Sequence, residues 1–276
     1  MASREEFMQG FRNPSDRIIL ALDDMSHAES DEMLRRVGDF IGIAKENDGA
    51  DIYGAKDSVD RLASAGYVDM LDWKLHDTPG TVRNRTRNLT SIGASLITVH
   101  TPGGVSMLKA AVEGRDQAMA NMDPETLPVF LQDKIDRIGG ILGITVLTSL
   151  STKPGLDGGL SEVELATGGK LDEIVVRRAR WAVEAGLTGV VCSGAGLKLI
   201  RSRPEFDGLL TVVPGMVLAG GIANEGQQQI DTPEAAFDSG ADFVIAGSAV
   251  TASDKKNGFP PEEAAERFAK AAERAV

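Results

Sequence analysis

The stretch VDMLDWKLHDTPGTVRNRTRNLTSIGASLITVH, residues 68–100, holds one complete unit of the architecture. An apolar run at 68–74 is followed by a polar break containing Pro79 and Gly80. An amphipathic stretch at 81–93 then leads to a second apolar run, rich in Ile and Val, at 95–100. The reading is strand, helix, strand.

The same alternation extends in both directions. Strands are predicted at 17–23, 41–45, 68–74, 95–100, 141–147, 188–192, 209–213 and 243–247. Helices are predicted at 26–40, where Ser26 or His27 caps and Met33, Leu34 and Val37 form one face, at 58–66, at 81–93, and at 260–276 behind paired prolines. Eight strands alternating with helices over 276 residues match a (β/α)8 TIM barrel of the α/β class, read as a single domain over 1–276. A doubly wound open sheet is the alternative, because periodicity alone does not show closure, but no G-x-G-x-x-G follows the first strand. Two segments are longer than the unit requires: 115–138, marked by Pro124 and Pro128, and 152–172, where Pro154 and several glycines mark a candidate lid or insertion after strand five.

Composition narrows the function classes. With 29 Lys+Arg against 41 Asp+Glu, the formal charge is -12, which argues against nucleic-acid and anionic-membrane partners. The single cysteine, Cys192, forms no intrachain disulfide, and with three histidines it leaves little material for a zinc cage. The charged N-terminus lacks the apolar core of a signal peptide, and the longest near-apolar run, 138–147, is too short to span a bilayer. The expectation is a soluble protein in a reducing, cytoplasmic setting.

Charged residues at strand C-termini are where this fold carries chemistry. Asp23 closes strand one, Lys45 closes strand two, and Asp72 and Lys74 close strand three, with Asp77 three residues on. Alternation along a strand sends Asp72 and Lys74 to the same side, predicted to be the barrel interior, and Trp73 to the helices. Alternating carboxylates and ammoniums neutralise one another, so the array tolerates partial desolvation. It offers a carboxylate to oppose a substrate anion and an ammonium to meet developing negative charge. That suits carbanion chemistry. His76 reads as a rim residue, and His100 at the end of strand four as either rim or site.

The string DWKLHDTPGTV resembles the D-x-K-x-x-D signature of the orotidine 5'-phosphate decarboxylase family. LALD at 20–23, SLITVHTPGG at 95–104, TVLTSLS at 145–151, VVCSGAG at 190–196 and TVVPG at 211–215 extend the resemblance over most of the chain. It implies cofactor-free decarboxylation of a nucleotide substrate, with Lys45, Asp72, Lys74 and Asp77 as the catalytic tetrad and no metal. It also implies that Asp23 binds ribose hydroxyls, Ser151 contacts the pyrimidine, Pro214 lines the substrate site, and Asp77 and Thr81 reach the neighbouring site of a homodimer. Related metal-dependent sugar-phosphate decarboxylases and synthases carry glutamate at the second-strand position and use Mg²⁺. Here Lys45 holds that position with Glu46 beside it, so a one-residue slip would favour those relatives. A non-catalytic nucleotide-binding barrel is a further alternative.

The phosphate site departs from the family pattern. Ser248 stands where an arginine usually follows the strand-eight glycine, and Ala219 where a glutamine is expected, with Gln227 as a substitute. Gly220 and Gly221 after strand seven, and Gly247 with Ser248 after strand eight, resemble paired glycine turns that present backbone N–H groups to phosphate. The expectation is a weaker grip on the phosphodianion than is usual in the family.

Overall fold

The computed structural model describes residues 4–132, 135–148, 170–218 and 231–275. Eight strands are β1 (Ile18–Ala21), β2 (Ile43–Glu46), β3 (Val68–Leu75), β4 (Leu96–His100), β5 (Gly140–Ile144), β6 (Gly189–Val191), β7 (Leu210–Val213) and β8 (Phe243–Ala246). Each pairs in parallel with the next, and β8 returns to β1 with Ile19 opposite Ile245. The sheet is therefore a closed barrel, and the open-sheet alternative falls. Such strands are covered on both faces, which is why they read as continuous apolar runs.

Helices fill the intervals. Residues His27–Val37 begin at a reciprocal cap: the Ser26 Oγ accepts from the Glu29 N–H, and the Glu29 carboxylate accepts from the Ser26 N–H at 2.8 Å. Met33, Leu34 and Val37 are buried, as their spacing predicts. The other predicted helices occupy Ala55–Ser64, Pro79–Ser91 and Pro261–Glu273, each within a few residues of its expected bounds. The segment 115–138 is less of an excursion than predicted. Its first six residues complete the helix Gly104–Ala120, and short helical turns at Pro124–Thr126, Val129–Gln132 and Ile135–Arg137 follow. Of 152–172, the part through 169 lies outside the described residues, and Leu171 already opens the helix Leu171–Ala185.

The core has two layers. Inside the barrel, Ile19, Ile43, Met70, Leu142, Val212 and Ile245 pack together, while a second cluster fills the space between strands and helices. The N-terminal end of the barrel is stoppered by aromatic rings: Phe11 meets Phe243 edge-on at 5.0 Å and Phe7 stacks on Phe11 at 5.5 Å. Around this stopper Asp242 is a buried hub. Its carboxylate accepts from Arg4 and Arg201, both at 2.6 Å, and from the Thr211 N–H at 2.8 Å. Among the described residues, no helix is long and apolar enough to cross a membrane.

Candidate active site

The C-terminal end of the barrel carries the opposite arrangement: charge that is buried but incompletely enclosed. Inward alternation along β2 places Ile43 and Lys45 in the interior and turns Glu46 outward, where it pairs with Arg61 on the helix Ala55–Ser64. Glu46 therefore takes no part in the site, and the one-residue slip that would replace Lys45 by a carboxylate does not occur.

Lys45 and Lys74 are bridged by one carboxylate. Asp72 Oδ2 lies 3.3 Å from Lys45 Nζ and 2.8 Å from Lys74 Nζ, while Asp23 Oδ1 meets Lys45 at 2.6 Å. The two lysines differ in setting, since the Lys45 side chain is 5% exposed and that of Lys74 31%. Burial penalises the Lys45 ammonium, but attraction by Asp72 and Asp23 and hydrogen bonds to them outweigh it, holding its pKa above the ordinary lysine value. It stays charged at all working pH values.

Alternation alone does not produce this geometry. Lys74 has a left-handed backbone, φ 49°, and the β3–β4 register shifts between Leu71 and Leu75. The irregularity returns the Lys74 ammonium to Asp72, and Trp73 turns to the helices, donating from Nε1 to the Asn47 carbonyl at 3.3 Å.

Two cavities flank Asp72. One, of about 120 Å³, is largely apolar; Ile144, Val191, Cys192 and Ile245 line it, with Lys74 and Thr148 among its polar boundary. The other, of about 180 Å³, is bounded by Asp23, Lys45, Pro214, Gly247 and Ser248. Asp72 borders both, as do Pro214 and Ile245, while Lys74 lines the first and Lys45 the second. Burial pushes the Cys192 thiol up to about 12, so it remains protonated and is a poor nucleophile.

At the rim, His100 is half-buried with its ring 5.7 Å from that of His76. Burial first, then the neighbouring His76 ring and the Lys74 and Arg178 cations, against the attraction of Asp72, lower its pKa to about 4. A folded-state pKa below the unfolded value of about 6.5 means that the unfolded chain binds the proton more readily. Stability from this residue is present above pH 6.5 and declines as pH falls toward 4. Urea unfolding at pH 7 and pH 5 is expected to show wild type losing about 1 kcal/mol more than His100→Asn, after allowance for solvent screening. An equal loss in both proteins would contradict this assignment.

The structure thus brings together Asp23, Lys45, Asp72 and Lys74, with Pro214, Gly247 and Ser248 across the second cavity. Asp23 lies two residues beyond β1 rather than within it. Asp77 and Thr81 stand apart. Asp77 is exposed and accepts from the Thr78 N–H, Thr78 and Thr81 share a hydroxyl contact at 3.1 Å, and among the described residues no ion pair joins Asp77 to either lysine. Ser151, Ala219, Gly220, Gly221 and Gln227 lie outside the described residues. Thr98 and Thr148 are site residues that sequence reasoning missed. Thr98, fully buried on β4, donates to Asp72 Oδ1 at 3.0 Å. Threonine is an ordinary strand former, and only the register with β3 reveals that contact.

A closed parallel barrel with a lysine–aspartate array at the strand C-termini has the form of a (β/α)8-barrel enzyme, with its charged groups gathered where such barrels carry their active sites. A family model described as "Orotidine 5'-phosphate decarboxylase / HUMPS family" matches residues 16–268, and the chain belongs to that family. It is 36% identical over 236 residues to an orotidine 5'-phosphate decarboxylase of Anaeromyxobacter sp. (strain K), covering 85% of this chain and 90% of that protein. The corresponding protein of Anaeromyxobacter dehalogenans (strain 2CP-1) is 35% identical with the same coverage. Among solved structures, orotidine 5'-phosphate decarboxylase from Lactobacillus acidophilus superposes with a TM-score of 0.68 at 25% identity, over 92% of this chain and 97% of that one.

Proposed function

We propose that this chain converts orotidine 5'-phosphate to uridine 5'-phosphate and carbon dioxide, drawing on no metal or organic cofactor. The observation that carries this reading is the position of Asp72 between two cavities, with a different lysine facing each. The pyrimidine occupies the apolar compartment, and the ribose and phosphate occupy the compartment of Asp23, Lys45 and Ser248.

The charge logic follows from that placement. Asp72 lies against the substrate carboxylate, and their mutual repulsion is relieved as carbon dioxide departs. The electron pair of the breaking bond stays on the ring carbon C6. Lys74 stabilises this developing charge and donates a proton to it, so the pair leaves as a new C–H bond and the lysine is left neutral until it is reprotonated. Lys45, clamped by two carboxylates, keeps Asp72 in place. Asp23 accepts from ribose hydroxyls. In this reading the protein is a homodimer, and Asp77 and Thr81 serve the partner's site, which accounts for their distance from the array within one chain.

Turnover tests the reading directly. Orotidine 5'-phosphate incubated with purified protein is expected to lose its ultraviolet absorbance at the same rate with and without EDTA. Loss of turnover in EDTA would assign the metal-dependent sugar-phosphate chemistry instead, and no turnover in either condition would overturn the decarboxylase reading.

Phosphate is held, in this reading, by backbone amides and the hydroxyl at Gly247 and Ser248. A charge-assisted guanidinium contact adds on the order of 2 kcal/mol. Ser248→Arg is therefore expected to lower KM by roughly tenfold or more while leaving kcat near its wild-type value. An unchanged KM would place the phosphate elsewhere.

A further inference from the structure

The hydroxyl of Thr98 is used twice, and the chemistry of its partners settles the direction of both bonds. The Lys74 backbone N–H can only donate, so Thr98 Oγ1 accepts from it at 2.8 Å. The one hydroxyl proton is then available for Asp72 Oδ1 at 3.0 Å. Asp72 is thereby divided, with Oδ1 held by Thr98 and Oδ2 facing the two ammoniums at 2.8 and 3.3 Å.

The register explains why a side chain stands here. Leu71 is opposite Ile97 and Leu75 opposite Val99, so four steps on β3 match two on β4. The Lys74 amide sits inside that mismatch, with its backbone left-handed, and it bonds to the Thr98 hydroxyl beside the strand ladder. One buried hydroxyl thus ties the irregular backbone that carries Lys74 to the carboxylate that orients its ammonium.

We propose that Thr98 is a positioning residue for the decarboxylation, acting through Asp72 and Lys74 without touching the substrate. The proposal rests on the function argued above. Its role is to set the rotation of the Asp72 carboxylate, and with it the direction of the Lys74 ammonium into the apolar cavity. Valine has nearly the shape of threonine but lacks the hydroxyl, and serine keeps the hydroxyl but lacks the methyl group.

The test compares Thr98→Val with Thr98→Ser by steady-state kinetics on orotidine 5'-phosphate and by crystal structures of both variants. Thr98→Val is expected to lower kcat by roughly 10- to 100-fold with KM changed less than about threefold, and Thr98→Ser to recover most of kcat. In the structures, the contact between Asp72 Oδ2 and Lys74 Nζ should be lost in the valine variant and kept in the serine variant. Equal loss of kcat in both variants would reduce Thr98 to a packing residue, and a fully active valine variant would also overturn the proposal. If wild type itself fails to turn over the substrate, the decarboxylase reading falls, while the two structures still decide whether the hydroxyl holds the pair.

Discussion

Lys74→Ala is expected to lower kcat by at least about 10⁴-fold while leaving a folded protein. A positioned proton donor contributes roughly 10²–10⁴-fold, and an ammonium aimed at developing negative charge contributes on the order of a further 10²–10³-fold. Both contributions come from one Nζ. The fold loses little, because the side chain is 31% exposed and Asp72 keeps Lys45 at 3.3 Å and Thr98 at 3.0 Å. Circular dichroism and a thermal melt would establish folding alongside the absorbance assay. Retention of activity within about tenfold would mean that Lys74 is not the proton donor.

Asp242→Ala is expected to produce the reverse pattern, a large loss of stability with the chemistry spared. Asp242 is buried at the N-terminal end of the barrel, opposite the site, and two guanidiniums converge on it. Truncation strands both, and breaking a buried pair in this way costs about 3–5 kcal/mol. For a chain of this size the melting temperature should fall on the order of 10 °C. At a temperature where the variant remains folded, kcat should match wild type. A melting temperature within about 2 °C of wild type would show that Arg4 and Arg201 find other partners, such as the Gly240 and Leu209 carbonyls that Arg201 already contacts.

The two ends of the barrel differ in how plainly the sequence announces them. All eight strands were legible because strands covered on both faces must be apolar throughout, and Asp23, Lys45, Asp72 and Lys74 stood out as charges interrupting or ending such runs. Strand ends were less legible: the fifth run reads as 141–147, yet pairing stops at Ile144, because Val146 and Leu147 are apolar for the sake of the cavity they line. Asp242 gave no local sign of being a hub, since its partner Arg4 is 238 residues away. Thr98 was hidden by residue type, and the left-handed backbone of Lys74 by the absence of a glycine. Asp77 and Thr81 illustrate another limit, because a residue proposed to serve a second subunit has no partner pattern within its own chain.

The backbone at Lys74 has a consequence for directed evolution. A left-handed φ of 49° favours glycine, and after it asparagine, over any long side chain by on the order of 1 kcal/mol. A library screened for heat resistance alone should therefore drift at position 74 toward glycine or asparagine, and one screened for turnover should keep lysine. The residue recovered there is a record of which pressure was applied, and consensus-style stabilisation of this barrel should leave that position untouched.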